Sequence, residues 1–101
     1  MNIENEDLEF KQSWRDEYLR DVCAFANTKG RIPKVGLNDK GDVVGVPNAK
    51  RLLEDIPNKI KNKLGIIAMV KKERVDNKDV IEVSVEPSQM PVSFDGKFYI
   101  R

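Results

Sequence analysis

Between Trp14 and Phe25 the large apolar residues return every three or four positions, and Gly30 closes the run. Trp14, Tyr18, Val22 and Phe25 share one helical face, and Leu19, Cys23 and Ala26 widen it, so this helix should be heavily buried. Ser13 stands where an N-cap is expected, with Asp16 in the capping-box position and Glu17 reinforcing the helix dipole. Gly30, helped by Asn27, is placed to end the helix through a left-handed C-cap. Ahead of it, Leu8-Glu9-Phe10-Lys11 alternates apolar and charged, as a half-buried strand does. The order is therefore strand, helix, glycine stop and return strand.

The rest of the chain reads mainly as hairpins. Residues 32–37 and 43–46 are β-prone runs flanking the polar loop Asn38-Asp39-Lys40-Gly41-Asp42. Gly36 and Gly45 interrupt them, which marks a bulge or a close backbone approach. Asn48 can cap a second helix whose Leu52, Leu53, Ile56, Ile60 and Leu64 share a face, with Gly65 ending it. Pro57 lies inside that helix, where its missing N–H and its ring predict a kink or two separate pieces. Residues 66–75 and 80–86 form a strand pair around Asp76-Asn77-Lys78-Asp79, with Ile81, Val83 and Val85 pointing to one side. Pro87 and Pro91 bracket a crossing segment, and Asp95-Gly96 suits a type I′ turn in a short terminal hairpin. The expected class is α+β: a mixed, mainly hairpin-built sheet of about six strands with two main helices.

At 101 residues the chain is expected to be a single domain, residues 1–101, with a modest core under a highly charged surface. No stretch approaches the roughly 20 apolar residues of a membrane span, and no secretory signal pattern opens the chain. One cysteine, Cys23, forms no internal disulfide and fits a reducing, cytoplasmic setting. The net charge of +1 hides an uneven distribution. Residues 1–22 carry seven acids and three bases, a balance of −4, whereas residues 59–74 carry six bases against Glu73, a balance of +5. A local basic patch can hold phosphates in a neutral domain, because exposed charges are screened beyond about 8–10 Å. The same charges equally suit the solvated face of one helix and one strand.

A set of segments in this order resembles a known family. They are Glu4 with Leu8-Glu9-Phe10-Lys11, the helix end Ala24-Phe25-Ala26-Asn27-Thr28-Lys29-Gly30, and Val35-Gly36-Leu37-Asn38-Asp39. They continue through Gly41-Asp42-Val43-Val44-Gly45-Val46, Val85-Glu86-Pro87-Ser88 and Pro91-Val92 to Phe98-Tyr99-Ile100-Arg101. This resembles the Schlafen/AlbA-type domain, also called divergent AAA. The domain occurs in proteins described as bacterial and archaeal transcriptional regulators and as ATP-dependent helicases related to RecG. The resemblance covers almost the whole chain and implies a nucleic-acid-binding domain, DNA foremost, at the N-terminus of a longer protein. It departs from the family at Arg31, where a second glycine is usual, and at Asn38, where an aspartate is common. Pro33 removes a ladder donor, so its strand is expected to be an edge strand, bulged, or shortened at its start.

With no histidine, histidine-based triads and the common zinc sets are excluded. Cys23 lies on the apolar helix face and reads as structural. No Walker-type glycine run is present, so no cofactor is expected in this domain, and ATP would belong to a C-terminal region outside it. The cations expected to meet phosphates form two sets. Lys29, Arg31 and Lys34 follow the first helix; Lys59, Lys61 and Lys63 lie on the second and lead into Lys71, Lys72 and Arg74. No aromatic residue interleaves with the second set, so backbone contact with little sequence preference is expected there rather than base stacking. Two alternatives stand beside DNA binding. One is a metal-dependent ribonuclease, for which the resemblance implies three carboxylates: Glu4 and Glu9 match the first pair in spacing, Asn38 holds the third position, and Asp39 is its stand-in. The other is an interaction module, self-associating or docking the protein's own C-terminal region through edge strands near Pro33 and Phe94–Ile100.

Overall fold

The computed structural model describes residues 8–100. Strand β1 (Leu8–Lys11) leads through a 3₁₀ turn (Asp16–Tyr18) into helix α1 (Leu19–Ala26), and β2 (Ile32–Val35) follows. Because α1 carries the chain back across the sheet, β2 lies parallel to β1, with Leu8 opposite Ile32 and Lys11 opposite Val35. Helix α2 (Ala49–Leu64) precedes the hairpin β3 (Met69–Val75) and β4 (Lys78–Ser84). The sheet order is β1-β2-β4-β3, and β5 (Ser93–Phe94) with β6 (Lys97–Phe98) forms a separate antiparallel ribbon. Among the described residues two helices, a mixed four-stranded sheet and a two-stranded ribbon make an α+β fold with six strands.

Both helices cover one face of the sheet. Ile81, Val83 and Val85 point into the main core with Val35, as the alternation of β4 predicts, and meet Phe25 and Val22 of α1 and Ile56 and Ile60 of α2. The opposite face bears a smaller cluster of Phe10, Leu37 and Val80, with Val43 and Val75 packed against it. Gly30 takes φ +78° and its N–H reaches the Phe25 carbonyl at 2.8 Å, closing α1 as expected. Gly65 closes α2 at φ +71°, bonded to the Lys61 carbonyl.

Several local expectations are revised. Ser13 caps nothing: α1 proper starts only at Leu19, and the Asp16 carboxylate accepts from Trp14 Nε1 at 3.1 Å and Lys59 Nζ at 2.7 Å instead of reaching back. Asn48 occupies the N-cap position of α2 without a side-chain capping bond. That helix runs unbroken through Pro57, which costs one main-chain bond while the buried stripe Leu52, Ile56, Ile60 and Leu64 holds the turns on both sides. The expected hairpin over 32–46 is reduced to a bridge between Leu37 and Val43. Its strand ends at Val35 because the Gly36 and Leu37 N–H groups turn to the Lys11 carbonyl, and Val44 and Gly45 fold back onto the Gly36 carbonyl. The turn between β3 and β4 is two residues long, Asp76 and Asn77, both at positive φ.

Pro33 is not on an edge. It lies in β2, between β1 and β4, opposite Glu9. Arg31 and Val85 exchange both main-chain bonds at 2.9 Å, so alternation places the Pro33 nitrogen at the next hydrogen-bonding position toward β4. Its missing N–H interrupts that ladder, which resumes at Lys34 opposite Glu82. The strand keeps its interior place because β1 holds its other side over four residue pairs.

Candidate nucleic-acid interface

The nine cations singled out by the sequence do not form one surface. Lys29 is exposed on the turn after α1. Lys34 is half-buried on the helix-free face, across from Glu82. Arg31 is buried: its side chain is 7% exposed, its Nη1 lies 3.3 Å from Glu9 Oε1, and its guanidinium stands 5.6 Å from the Phe25 ring centre. Its sequence position after Gly30 suggested a free cation on a turn. Pairing with Val85 turns that backbone into the sheet instead and sends the side chain under α1.

On α2, Lys59 is held by Asp16 across to the 3₁₀ turn, and the ammonium together with the Trp14 N–H keeps the Asp16 carboxyl below its ordinary value. Lys61 and Lys63 are exposed in the last turn, where cations complement the negative helix end. Alternation along β3 separates the remaining three. Lys72, opposite Ile81, and Arg74, opposite Asp79, lie on the side that carries the helices, while Lys71, opposite Glu82, lies on the other. Arg74 is engaged by Asp79 Oδ1 at 3.3 Å and by the Asn77 carbonyl at 3.2 Å. Among the described residues no ion pair engages Lys29, Lys61, Lys63, Lys71 or Lys72. Lys72 and Arg74 thus share the side of the sheet that α2 covers, and Lys61 and Lys63, two residues apart, lie on opposite flanks of that helix.

The described residues of the carboxylate set meet other groups. Glu9 faces Arg31 and Lys11, and Lys11 in turn reaches Asp21 at 3.6 Å and lies 4.4 Å above the Tyr18 ring. Asn38 Oδ1 accepts from the main-chain N–H groups of Lys40 and Asp42, both at 2.9 Å, so this amide shapes the 38–42 turn. Asp39 is exposed in that turn, and Glu4 lies outside the described residues. Among the described residues no three acidic or cysteine side chains gather to hold a metal ion. Cys23 is fully buried, with Sγ 3.1 Å from the Val92 carbonyl oxygen. The aromatics near α1 are structural: Phe25 is buried, and Trp14 packs on the core and meets Tyr18 edge to face.

Asn27 has a role that helix periodicity alone does not reveal. Its Nδ2 donates to the carbonyls of Val92 at 2.7 Å and Tyr99 at 3.0 Å, and its Oδ1 accepts from the Val92 N–H at 2.7 Å. One amide therefore ties the end of α1 to both flanks of the β5–β6 ribbon. Beside it, Met90, Phe98 and Ile100 are strongly exposed around a pocket of about 380 Å³.

The family profile described as Schlafen, AlbA_2 matches residues 4–101. The chain belongs to the Schlafen AlbA_2 family. Two solved structures share the fold of this family member. The DIP2311 protein from Corynebacterium diphtheriae is 20% identical with a TM-score of 0.73, over 88% of this chain and 19% of its own. The N-terminal domain of a protein from Nitrosomonas europaea, named as an ATP-dependent DNA helicase RecG-related protein, is 22% identical with a TM-score of 0.67, over 94% of this chain and 76% of its own. The chain thus spans about a fifth of the length of the Corynebacterium protein. No curated protein matches it significantly. Among the described residues of this family member no helix is long and apolar enough to cross a membrane.

Proposed function

We propose that this domain holds nucleic-acid backbone, DNA foremost, as the recognition or tethering module of a longer regulator or RecG-related helicase-like protein. The carrying observation is that Lys61 and Lys63 on the last turn of α2 and Lys72 on the helix side of β3 are exposed with no acidic partner among the described residues, with Arg74 on the same side of β3. These cations supply point charges to phosphates and have no aromatic residue interleaved with them for bases, which suits binding with little sequence preference. DNA comes foremost because a structural neighbour is named as a DNA helicase relative.

Anisotropy titrations of labelled duplex DNA, single-stranded DNA and RNA at two salt concentrations test this reading. Affinity is expected to fall steeply with salt, and Lys61→Glu with Lys63→Glu should weaken it and reduce the salt slope by roughly one per lost phosphate contact. Absence of salt-dependent binding by the intact protein would sink the proposal. A second reading is favoured by Met90, Phe98 and Ile100, whose exposure around one pocket suits docking of a further region of the same longer protein. Glu substitution at Phe98 separates the two, since it should leave nucleic-acid affinity unchanged while abolishing docking.

A further inference from the structure

The outer edge of β3 carries a self-complementary pattern. β3 ends the sheet order, so among the described residues only β4 pairs with it. The two-residue turn at Asp76-Asn77 makes Val75 and Lys78 its hydrogen-bonded flanking pair, and from there the main chain alternates. Met69, Lys71, Glu73 and Val75 therefore direct their N–H and C=O groups to β4, and Val70, Lys72 and Arg74 direct theirs outward. The edge offers three consecutive outward sites and side chains exposed at Met69, Lys71, Lys72, Glu73 and Arg74.

We propose that two copies of this chain pair antiparallel through their β3 edges, about a two-fold axis at Lys72, to make one continuous eight-stranded sheet. In that register Val70 and Arg74 of opposite copies occupy hydrogen-bonded positions. The closer, non-hydrogen-bonded positions bring Lys71 against Glu73 twice and Met69 against Val75 twice, all on the helix-free side. Moving the axis by one residue sets Lys71 against Lys71 or Glu73 against Glu73, so charge selects this register alone among its neighbours. Lys72 meets its own copy on the axis, where the long stem carries each ammonium outward to water. The interface is isologous and closes at two copies. A single strand pair is small for a stable complex, so association is concentration-dependent.

Sedimentation velocity over a concentration series, with far-UV circular dichroism for folding, tests it on the intact 101-residue chain. The wild type should move from the mass of one chain to that of two. Lys71→Glu and Glu73→Lys each create two like-charge contacts and should weaken dimerisation roughly tenfold or more. The double variant Lys71→Glu with Glu73→Lys restores both opposite-charge pairs and should restore the dimer. Lys72→Pro removes an outward N–H that β4 does not use and should give a folded monomer. A wild type that stays monomeric at every concentration overturns the proposal. So does a dimer that survives the single charge changes and Lys72→Pro, or one that the double exchange fails to restore.

Discussion

Arg31 Nη1 lies 3.3 Å from Glu9 Oε1 across two neighbouring strands, with the Phe25 ring 5.6 Å from the guanidinium carbon. The pair is almost closed to water, at 7% and 17% side-chain exposure, so removing one partner leaves a carboxylate poorly solvated. Arg31→Ala should therefore lower unfolding free energy by about 2–4 kcal/mol. Urea denaturation measures that loss. The proposed nucleic-acid binding should be unchanged in the folded fraction, because the side chain is not on the surface. Weaker binding at unchanged stability would return Arg31 to the phosphate-binding set.

Asn27 gives the second prediction. Its amide satisfies two carbonyls and one N–H of the segment 92–99, and no other residue type of its size both donates and accepts in this way. Asn27→Asp replaces the donating NH₂ with an oxygen facing the Val92 and Tyr99 carbonyls, and should cost about 2–3 kcal/mol. Hydrogen exchange should show the loss concentrated in residues 92–99. Protection lost evenly across the sheet would show that Asn27 is no local tie.

Period and punctuation made much of this legible in the sequence. The apolar stripe of α1, the Gly30 and Gly65 stops and the alternation of β4 all rest on contacts within a few residues. The Asp95-Gly96 turn between β5 and β6 rests on the same local chemistry, and both residues take positive φ. What stayed hidden depends on partners far along the chain. Glu9 is 22 positions from Arg31, and Asn27 is 65 from Val92, and neither spacing carries a local signal. Pro33 misled for a related reason: a lost ladder bond argues for an edge unless the pairing on the other side is known. Charge counts along residues 59–74 likewise merged Lys71 with Lys72, which strand alternation sends to opposite faces.

Two glycines with similar φ should respond very differently to alanine. A Cβ at Gly30 would stand 2.5 Å from the Val85 carbonyl oxygen and 2.9 Å from Pro87 Cδ, whereas one at Gly65 meets nothing within 4 Å. Both substitutions bear the cost of positive φ, about 1 kcal/mol. Gly30→Ala adds displacement of main chain and should cost roughly 3 kcal/mol or more in total. Thermal melts of the two variants check the contrast, and equal losses would show that the 85–87 segment yields freely.

The Asp16–Lys59 contact supplies a pH dependence of known sign. The Lys59 ammonium and the Trp14 N–H bond to the charged carboxylate and hold its pKa below the usual 3.8. A lowered folded-state value means the contribution is full above the unfolded-state pKa and disappears as pH falls through the folded-state one. Asp16 is largely exposed, at 64% of its side chain, so water and salt screen the pair. Asp16→Asn should then be less stable than the wild type by roughly 0.5 kcal/mol at pH 7. The gap should be narrower at about pH 2, below the ordinary 3.8, and shrink at high salt. Urea midpoints for both proteins at the two pH values decide it: an equal gap at both would assign the loss to packing of the 3₁₀ turn rather than to the charge on Asp16.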